Sequence, residues 1–144
     1  MPHEKVALIV GAGDATGGAI AKRFSKESYT VACVRRNSDK LLPLITEIES
    51  SGGKAIACGC DARKEDEVVA LVEMLENDIG PIEVFVFNIG ANVPSSILEE
   101  TSRKYYKIWE MGCFSGFLCG REVALRMAKR NSGTILFTGA TASV

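Results

Sequence analysis

The sequence predicts an α/β fold, a doubly wound parallel sheet with strand order 3-2-1-4-5, and three observations carry that expectation. Short apolar runs of strand length alternate with stretches of helical periodicity along the whole chain. The breaks between them are rich in Gly, Pro, Asn and Asp. The first apolar run ends on glycines and passes at once into a helix-periodic segment. Strands alternating with helices require right-handed crossovers and so a parallel sheet. Two halves diverging from the first strand give the doubly wound order, with ligands bound beyond the strand C-termini.

The first strand, residues 5–10, leads into Gly11-Ala12-Gly13-Asp14-Ala15-Thr16-Gly17, and the following helix runs from 16 to about 27. Glycines at 11, 13 and 17 let the backbone turn sharply, approach a pyrophosphate and pack helix against strand. The helix start offers unpaired N–H groups to an anion. An ordinary strand-to-helix turn has the same local form, so the context has to carry the weight. The second strand, 30–34, ends on Arg35-Arg36, where this type of fold places the adenine ribose of a nicotinamide dinucleotide. An Asp or Glu there takes the ribose 2′-OH, whereas Arg accommodates a 2′-phosphate, so NADP(H) is expected over NAD(H). Asp14 weakens this expectation, because an acid in the turn repels both phosphate groups unless it faces outward or caps the helix.

Beyond Arg36, Ser38 or Asp39 can cap a helix through 50, and Ser51-Gly52-Gly53 ends it before a third strand, 54–60, closed by Asp61. Residues 64–79 place Val68, Leu71, Val72 and Leu75 on one face of an amphipathic helix stopped by Gly80-Pro81. A fourth strand, 82–87, opens into a loop over 88–94; a long helix spans 101–130, and Ser132-Gly133 leads into a fifth strand, 134–138. The glycine turn, Arg35, Asp61 and residues 88–90 all fall at strand C-termini, within reach of one cofactor.

With 144 residues, 47% of them apolar, the chain can bury one core, and a single domain over 1–144 is expected. A net charge of −1 with both signs interspersed points away from nucleic acid and anionic membranes and toward a small-molecule substrate. No apolar run spans a bilayer, since Glu110, Arg121 and Glu122 interrupt the most apolar helix. Five cysteines and no secretion signal in Met1-Pro2-His3-Glu4 imply reduced thiols and a cytoplasmic location. Cys58-x-Cys60 has no second pair at zinc spacing and His3 is the only histidine, so no metal site is expected. Cys33, Cys58 and Cys60 read as small buried residues on strands, and Cys113 and Cys119 as packed on a helix.

These residues resemble the N-terminal part of the short-chain dehydrogenase/reductase family over almost the whole chain. Gly11-Ala12-x-x-Ala15-Thr16-Gly17 resembles the family's Thr-Gly-x-x-x-Gly-x-Gly turn, with Val10 at its Thr and Ala15 at its middle Gly. Asp61, with Ala62 beside it, resembles the aspartate after strand three that reaches the adenine. Asn88-Ile89-Gly90 is similar to the Asn-Asn-Ala-Gly stretch after strand four, with Phe87 at its first Asn. Gly133-Thr134-Ile135-Leu136-Phe137 is similar to the Gly-x-Ile-Val-Asn strand that leads to the catalytic serine. The resemblance implies a Rossmann-type NAD(P)-binding domain and hydride transfer between NADP(H) and a carbonyl or alcohol. Together with the turn and strand ends it assigns Gly11, Gly13, Asp14, Thr16, Gly17, Arg35, Arg36, Asp61, Ala62, Asn88 and Gly90 to the cofactor.

In that family a Tyr acts as acid or base, a Lys lowers its pKa, a Ser orients the substrate and an Asn holds a water relay. None can be assigned here. The Tyr-x-x-x-Lys pair normally lies beyond residue 144, and Tyr29, Tyr105 and Tyr106 are followed four places on by Cys33, Trp109 and Glu110. By register the Ser position falls on Ala140, with Thr138, Thr141 and Ser143 as nearby hydroxyls, and the Asn position on Gly112. The expectation is a domain incomplete at its C-terminus and inactive by itself, with an exposed edge and apolar face at strand five. The alternative is a non-catalytic NADP(H)-binding sensor or scaffold. A methyltransferase using S-adenosylmethionine would want a carboxylate where Arg35 stands. A P-loop phosphotransferase would need Gly-Lys-Ser or Gly-Lys-Thr after the glycines.

Gly112, Gly116 and Gly120 recur every four residues on the 101–130 helix and form a side-chain-free stripe. Each costs the helix up to about 1 kcal/mol relative to Ala, so close packing must offset it, either by the helix's own sheet or by a second subunit. Phe114, Phe117, Leu118, Leu125 and Met127 make the helix apolar nearly all round. Burial on two sides and a homodimer or homotetramer through 101–130 are expected, as this helix also resembles the one through which the family usually dimerises.

Overall fold

The computed structural model describes residues 4–143 and contains one parallel sheet in the order β3-β2-β1-β4-β5. Its strands are β1 (Val6–Val10), β2 (Thr30–Arg35), β3 (Lys54–Gly59), β4 (Ile82–Phe87) and β5 (Thr134–Phe137). The predicted fold class and strand order are both found. In register, Val10 stands opposite Val34 of β2 on one side and Phe87 of β4 on the other, which brings three strand ends to one level. His3 lies outside the described residues.

Alternation along the strands divides the core into two layers. Val6, Leu8 and Val10, with Phe85 and Phe87, face α3 (Glu65–Met74) and α5 (Ser115–Arg130). Ala7 and Ile9, with Val31, Cys33 and Val86, face α1 (Thr16–Lys26) and α2 (Leu42–Ser50). Every residue of β1 is buried, as a strand covered on both faces requires. Burial of Leu8 and Ile9 contributes about 2 kcal/mol each, which anchors the turn that follows them.

Several element boundaries differ from the sequence expectation. The cap expected at Ser38 or Asp39 is Asn37, whose side chain accepts the Asp39 N–H at 3.0 Å and starts a 3₁₀ turn over Ser38–Leu41. The α-helix proper begins at Leu42, with Pro43 in its first turn where a missing N–H is harmless. The 64–79 helix is α-helical only to Met74 and closes through a π turn, Leu75–Ile79, before Gly80. The 101–130 helix is two helices, α4 (Ser102–Trp109) and α5, joined by a second π turn, Glu110–Phe114. Thr101 caps α4 by accepting the Lys104 N–H at 3.2 Å.

Two of the three stripe glycines, Gly116 and Gly120, lie on the chain's own sheet, whereas Gly112 faces Ala91 in the loop after β4. A Cβ on Gly116 would sit 3.2 Å from Phe87 Cε1, and one on Gly120 would sit 3.2 Å from Phe137 Cζ. Burial is on one side only within the chain: Leu118 and Met127 are buried and Phe114 half-buried, but Phe117 and Leu125 are exposed. Strand β5 is also open, with Leu136 46% and Phe137 59% exposed. Cys33, Cys58, Cys60 and Cys119 are buried, Cys60 one residue beyond β3, whereas Cys113 is exposed. The extra residue of the π turn rotates the helix face there and turns Cys113 outward. Among the described residues no helix is long and apolar enough to cross a membrane.

Candidate functional site

The turn after β1 is held from both neighbouring strands. The N–H groups of Gly11 and Ala12 both donate to Val34 O, at 3.1 and 3.3 Å, and the Asn88 N–H donates to Val10 O at 2.8 Å. Gly11 adopts φ +89°, a left-handed conformation, and a Cβ on it would lie 2.5 Å from Asn88 O. A Cβ on Gly17 would run into Gly11 O and lie 2.8 Å from Ala12 Cα. Only glycine at both places lets α1 start directly over the strand end. The first intrahelical bond runs from Ala19 N–H to Ala15 O, so the N–H groups of the preceding turn are free for a ligand. Asp14 is exposed and does not cap α1, whose N-cap position is Ala15 with no side-chain cap.

At the end of β2, Arg35 is half-buried and Arg36 exposed. Arg35 folds back over the glycine turn, since a Cβ on Gly13 would be 3.7 Å from its Nη1. At the end of β3, Asp61 is gripped by Arg63. Arg63 Nε donates to Oδ1 at 2.9 Å, Nη2 to Oδ2 at 2.7 Å, and the Arg63 backbone N–H to Oδ1 at 3.1 Å. The guanidinium holds the Asp61 carboxyl down to about 2 from its ordinary 3.8. The Asp61 N–H donates to Glu67 Oε2 at 2.7 Å, and that bond is the first cause of a lowered Glu67 pKa.

These segments border two adjoining cavities. The smaller, of about 180 Å³, is lined by Arg35, Arg36, Asp61, Ala62 and Arg63, with Met111 and Ser115 from the helical side. The larger, of about 790 Å³, is lined by residues 13–17, 88–92 and 138–142. Gly11 and Ile89 belong to both, so the two form one crevice along the C-terminal ends of the strands. Every residue assigned from sequence borders it: Gly11, Gly13, Asp14, Thr16, Gly17, Asn88 and Gly90 in the larger part, Arg35, Arg36, Asp61 and Ala62 in the smaller. A separate apolar depression beside Tyr105, Tyr106 and Trp109 lies on the outer side of α4 and has no part in this crevice.

A sequence model of the short chain dehydrogenase family matches residues 5–144. The chain belongs to the short-chain dehydrogenase family. It is 32% identical over 132 residues to the 7alpha-hydroxysteroid dehydrogenase of Escherichia coli, covering 92% of this chain and 51% of that enzyme. The crystal structure of a short-chain dehydrogenase from Rhodopseudomonas palustris superposes with TM-score 0.93 at 48% identity, over 99% of this chain and 67% of that one. The crystal structure of an actinorhodin polyketide ketoreductase variant with NADPH superposes with TM-score 0.90 at 28% identity, over 96% of this chain and 54% of that one. The chain spans about half the length of the curated short-chain dehydrogenases it matches.

Sequence reading missed three contributors to this short-chain dehydrogenase crevice. Gly18 is as constrained as Gly17, since a Cβ there would run into Gly13 O; the Gly17-Gly18 doublet was the available signal. Arg63, two residues after Asp61, had none beyond its charge. Ser115, fully buried and donating to Met111 O, borders the crevice from the first residue after the π turn. Ala140, Thr138 and Thr141 border the larger cavity, while Gly112 sits inside the π turn. The side chain of Ser143 lies outside the described residues.

Proposed function

We propose that this chain is the nucleotide-binding domain, over 1–144, of an NADP(H)-dependent oxidoreductase acting on a carbonyl or alcohol. The carrying observation is that the turns after β1, β2, β3 and β4 converge on one crevice, with the half-buried Arg35 and the exposed Arg36 at its β2 end. The glycine turn would take the pyrophosphate on the free N–H groups of α1, aided by the positive end of the helix. Arg35 and Arg36 would take the 2′-phosphate, Asp61 and the Ala62 N–H the adenine, and Asn88 to Gly90 the nicotinamide half. Bound there, the cofactor supplies or accepts a hydride at the nicotinamide. The neighbour crystallised with NADPH supports the phosphorylated form. Asp14 is exposed, does not cap α1 and borders the larger cavity, so its charge opposes the phosphates there and the backbone N–H groups would have to outweigh it.

The companion proposals are a small-molecule substrate, a cytoplasmic location suited to five free thiols, and a homodimer or homotetramer through α4 and α5, where Phe117 and Leu125 stand exposed. A non-catalytic NADP(H)-binding sensor is the second reading, favoured by Ala140 and Gly112 at the positions that the family resemblance gives to Ser and Asn. The test is Arg35→Ala with Arg36→Ala: NADPH affinity is expected to fall at least tenfold while NADH affinity changes little, and equal losses would refute the 2′-phosphate assignment.

A further inference from the structure

We propose that Arg63 is a positioning residue that makes the smaller cavity select an adenine over a 6-oxo purine; the proposal rests on the dinucleotide reading above. A carboxylate offers about four acceptor sites. Arg63 fills three of those on Asp61: its backbone N–H and Nε both bind Oδ1, and Nη2 binds Oδ2. One acceptor site on Oδ2 is left. Glu110, whose Oε1 lies 3.9 Å from Arg63 Nη1, gives the same guanidinium a second anionic neighbour on its other side, which favours this orientation of the pair.

The neighbouring peptide is equally restrained. The Asp61 N–H is taken by Glu67, and Ala62, which borders the cavity, is left with an N–H that has no partner among the described residues. The cavity therefore presents an anionic acceptor next to a neutral donor. Adenine carries the complement, an amino donor beside a ring-nitrogen acceptor. Hypoxanthine carries the reverse, a carbonyl oxygen beside a ring N–H, and would set oxygen against carboxylate and N–H against N–H. Without Arg63 the Asp61 side chain is free to rotate and the discrimination goes with it. The strong depression of the Asp61 pKa agrees with a carboxylate that never becomes a donor.

The experiment measures the affinities of NADPH and its hypoxanthine analogue for the full-length protein and for Arg63→Met, Arg63→Lys and Glu110→Gln. A ratio of two ligands on one sample is insensitive to the fraction folded. The wild type is expected to prefer NADPH at least tenfold, Arg63→Met to lose most of that preference, and Glu110→Gln to lose part of it. Arg63→Lys, which keeps the charge but not the fork, is expected to fall near Arg63→Met and carries the test if the latter does not fold. Undiminished preference in both Arg63 variants, or no preference in the wild type, overturns the proposal. Binding of neither nucleotide by folded wild type would instead overturn the dinucleotide reading and this proposal with it.

Discussion

The side-chain amide of Asn88 donates to the carbonyl oxygen of Gly11 at 3.2 Å, while the Gly11 backbone leaves no room for a Cβ beside Asn88 O. These two residues lock the end of β4 to the turn after β1. Asn88→Ala is expected to cost about 1 kcal/mol, lowering Tm by about 3 °C. Gly17→Ala is expected to cost more, about 2 kcal/mol, because its Cβ meets backbone at Gly11 and Ala12 rather than a movable side chain. Thermal unfolding without nucleotide measures both.

The glycine stripe makes a contrast within one helix. Gly116→Ala would press on Phe87, which is 4% exposed and cannot give way, whereas Gly120→Ala would press on Phe137, which is 59% exposed and can. Both gain up to about 1 kcal/mol of helix propensity. Gly116→Ala is expected to destabilise and Gly120→Ala to be neutral or stabilising, as read from denaturant midpoints.

The fold was legible because its signals are local and repeated. Alternation, turn residues and the run from Val6 to Gly17 each state the same architecture, and the β3-β2-β1-β4-β5 order follows. What was hidden depends on contacts across the fold. Asn37 and not Ser38 is the cap because a 3₁₀ turn over Ser38–Leu41 precedes the α-helix that starts at Leu42. The π turn at Glu110–Phe114 has no composition of its own, so the exposure of Cys113 and the reach of Ser115 into the crevice were not readable. The side of the glycine stripe was left open by sequence and is decided by Phe87 and Phe137. At the site, the residue types were legible, but the grip of Arg63 on Asp61 was not.

That grip has a pH signature. The folded pKa of Asp61 is depressed, so the stability it contributes is present above its ordinary value of 3.8 and is lost as pH falls through about 2. Asp61→Asn is expected to cost about 1 kcal/mol near neutrality, a figure that allows for solvent screening of the pair. Its deficit relative to wild type is expected to shrink between about pH 4 and pH 2, measured by denaturant unfolding across that range.

The thiols are expected to separate sharply. Burial pushes Cys33, Cys60 and Cys119 up to about 12 and Cys58 up to about 11, and thiols so held are neither ionised nor accessible at pH 8. Cys113 is exposed. An aromatic disulfide reagent is expected to modify one thiol quickly in the native protein and the other four only on unfolding, and Cys113→Ala is expected to abolish the fast phase.

The central claim, a crevice built for a 2′-phosphorylated nicotinamide dinucleotide, is tested most directly by titrating the protein with NADPH and with NADH. Energy transfer from the single tryptophan, Trp109, reports binding, and calorimetry checks it. NADPH is expected to bind at least tenfold more tightly, a difference of about 1.4 kcal/mol. Equal or tighter binding of NADH would contradict the role given to Arg35 and Arg36, and binding of neither by folded protein would contradict the dinucleotide site itself.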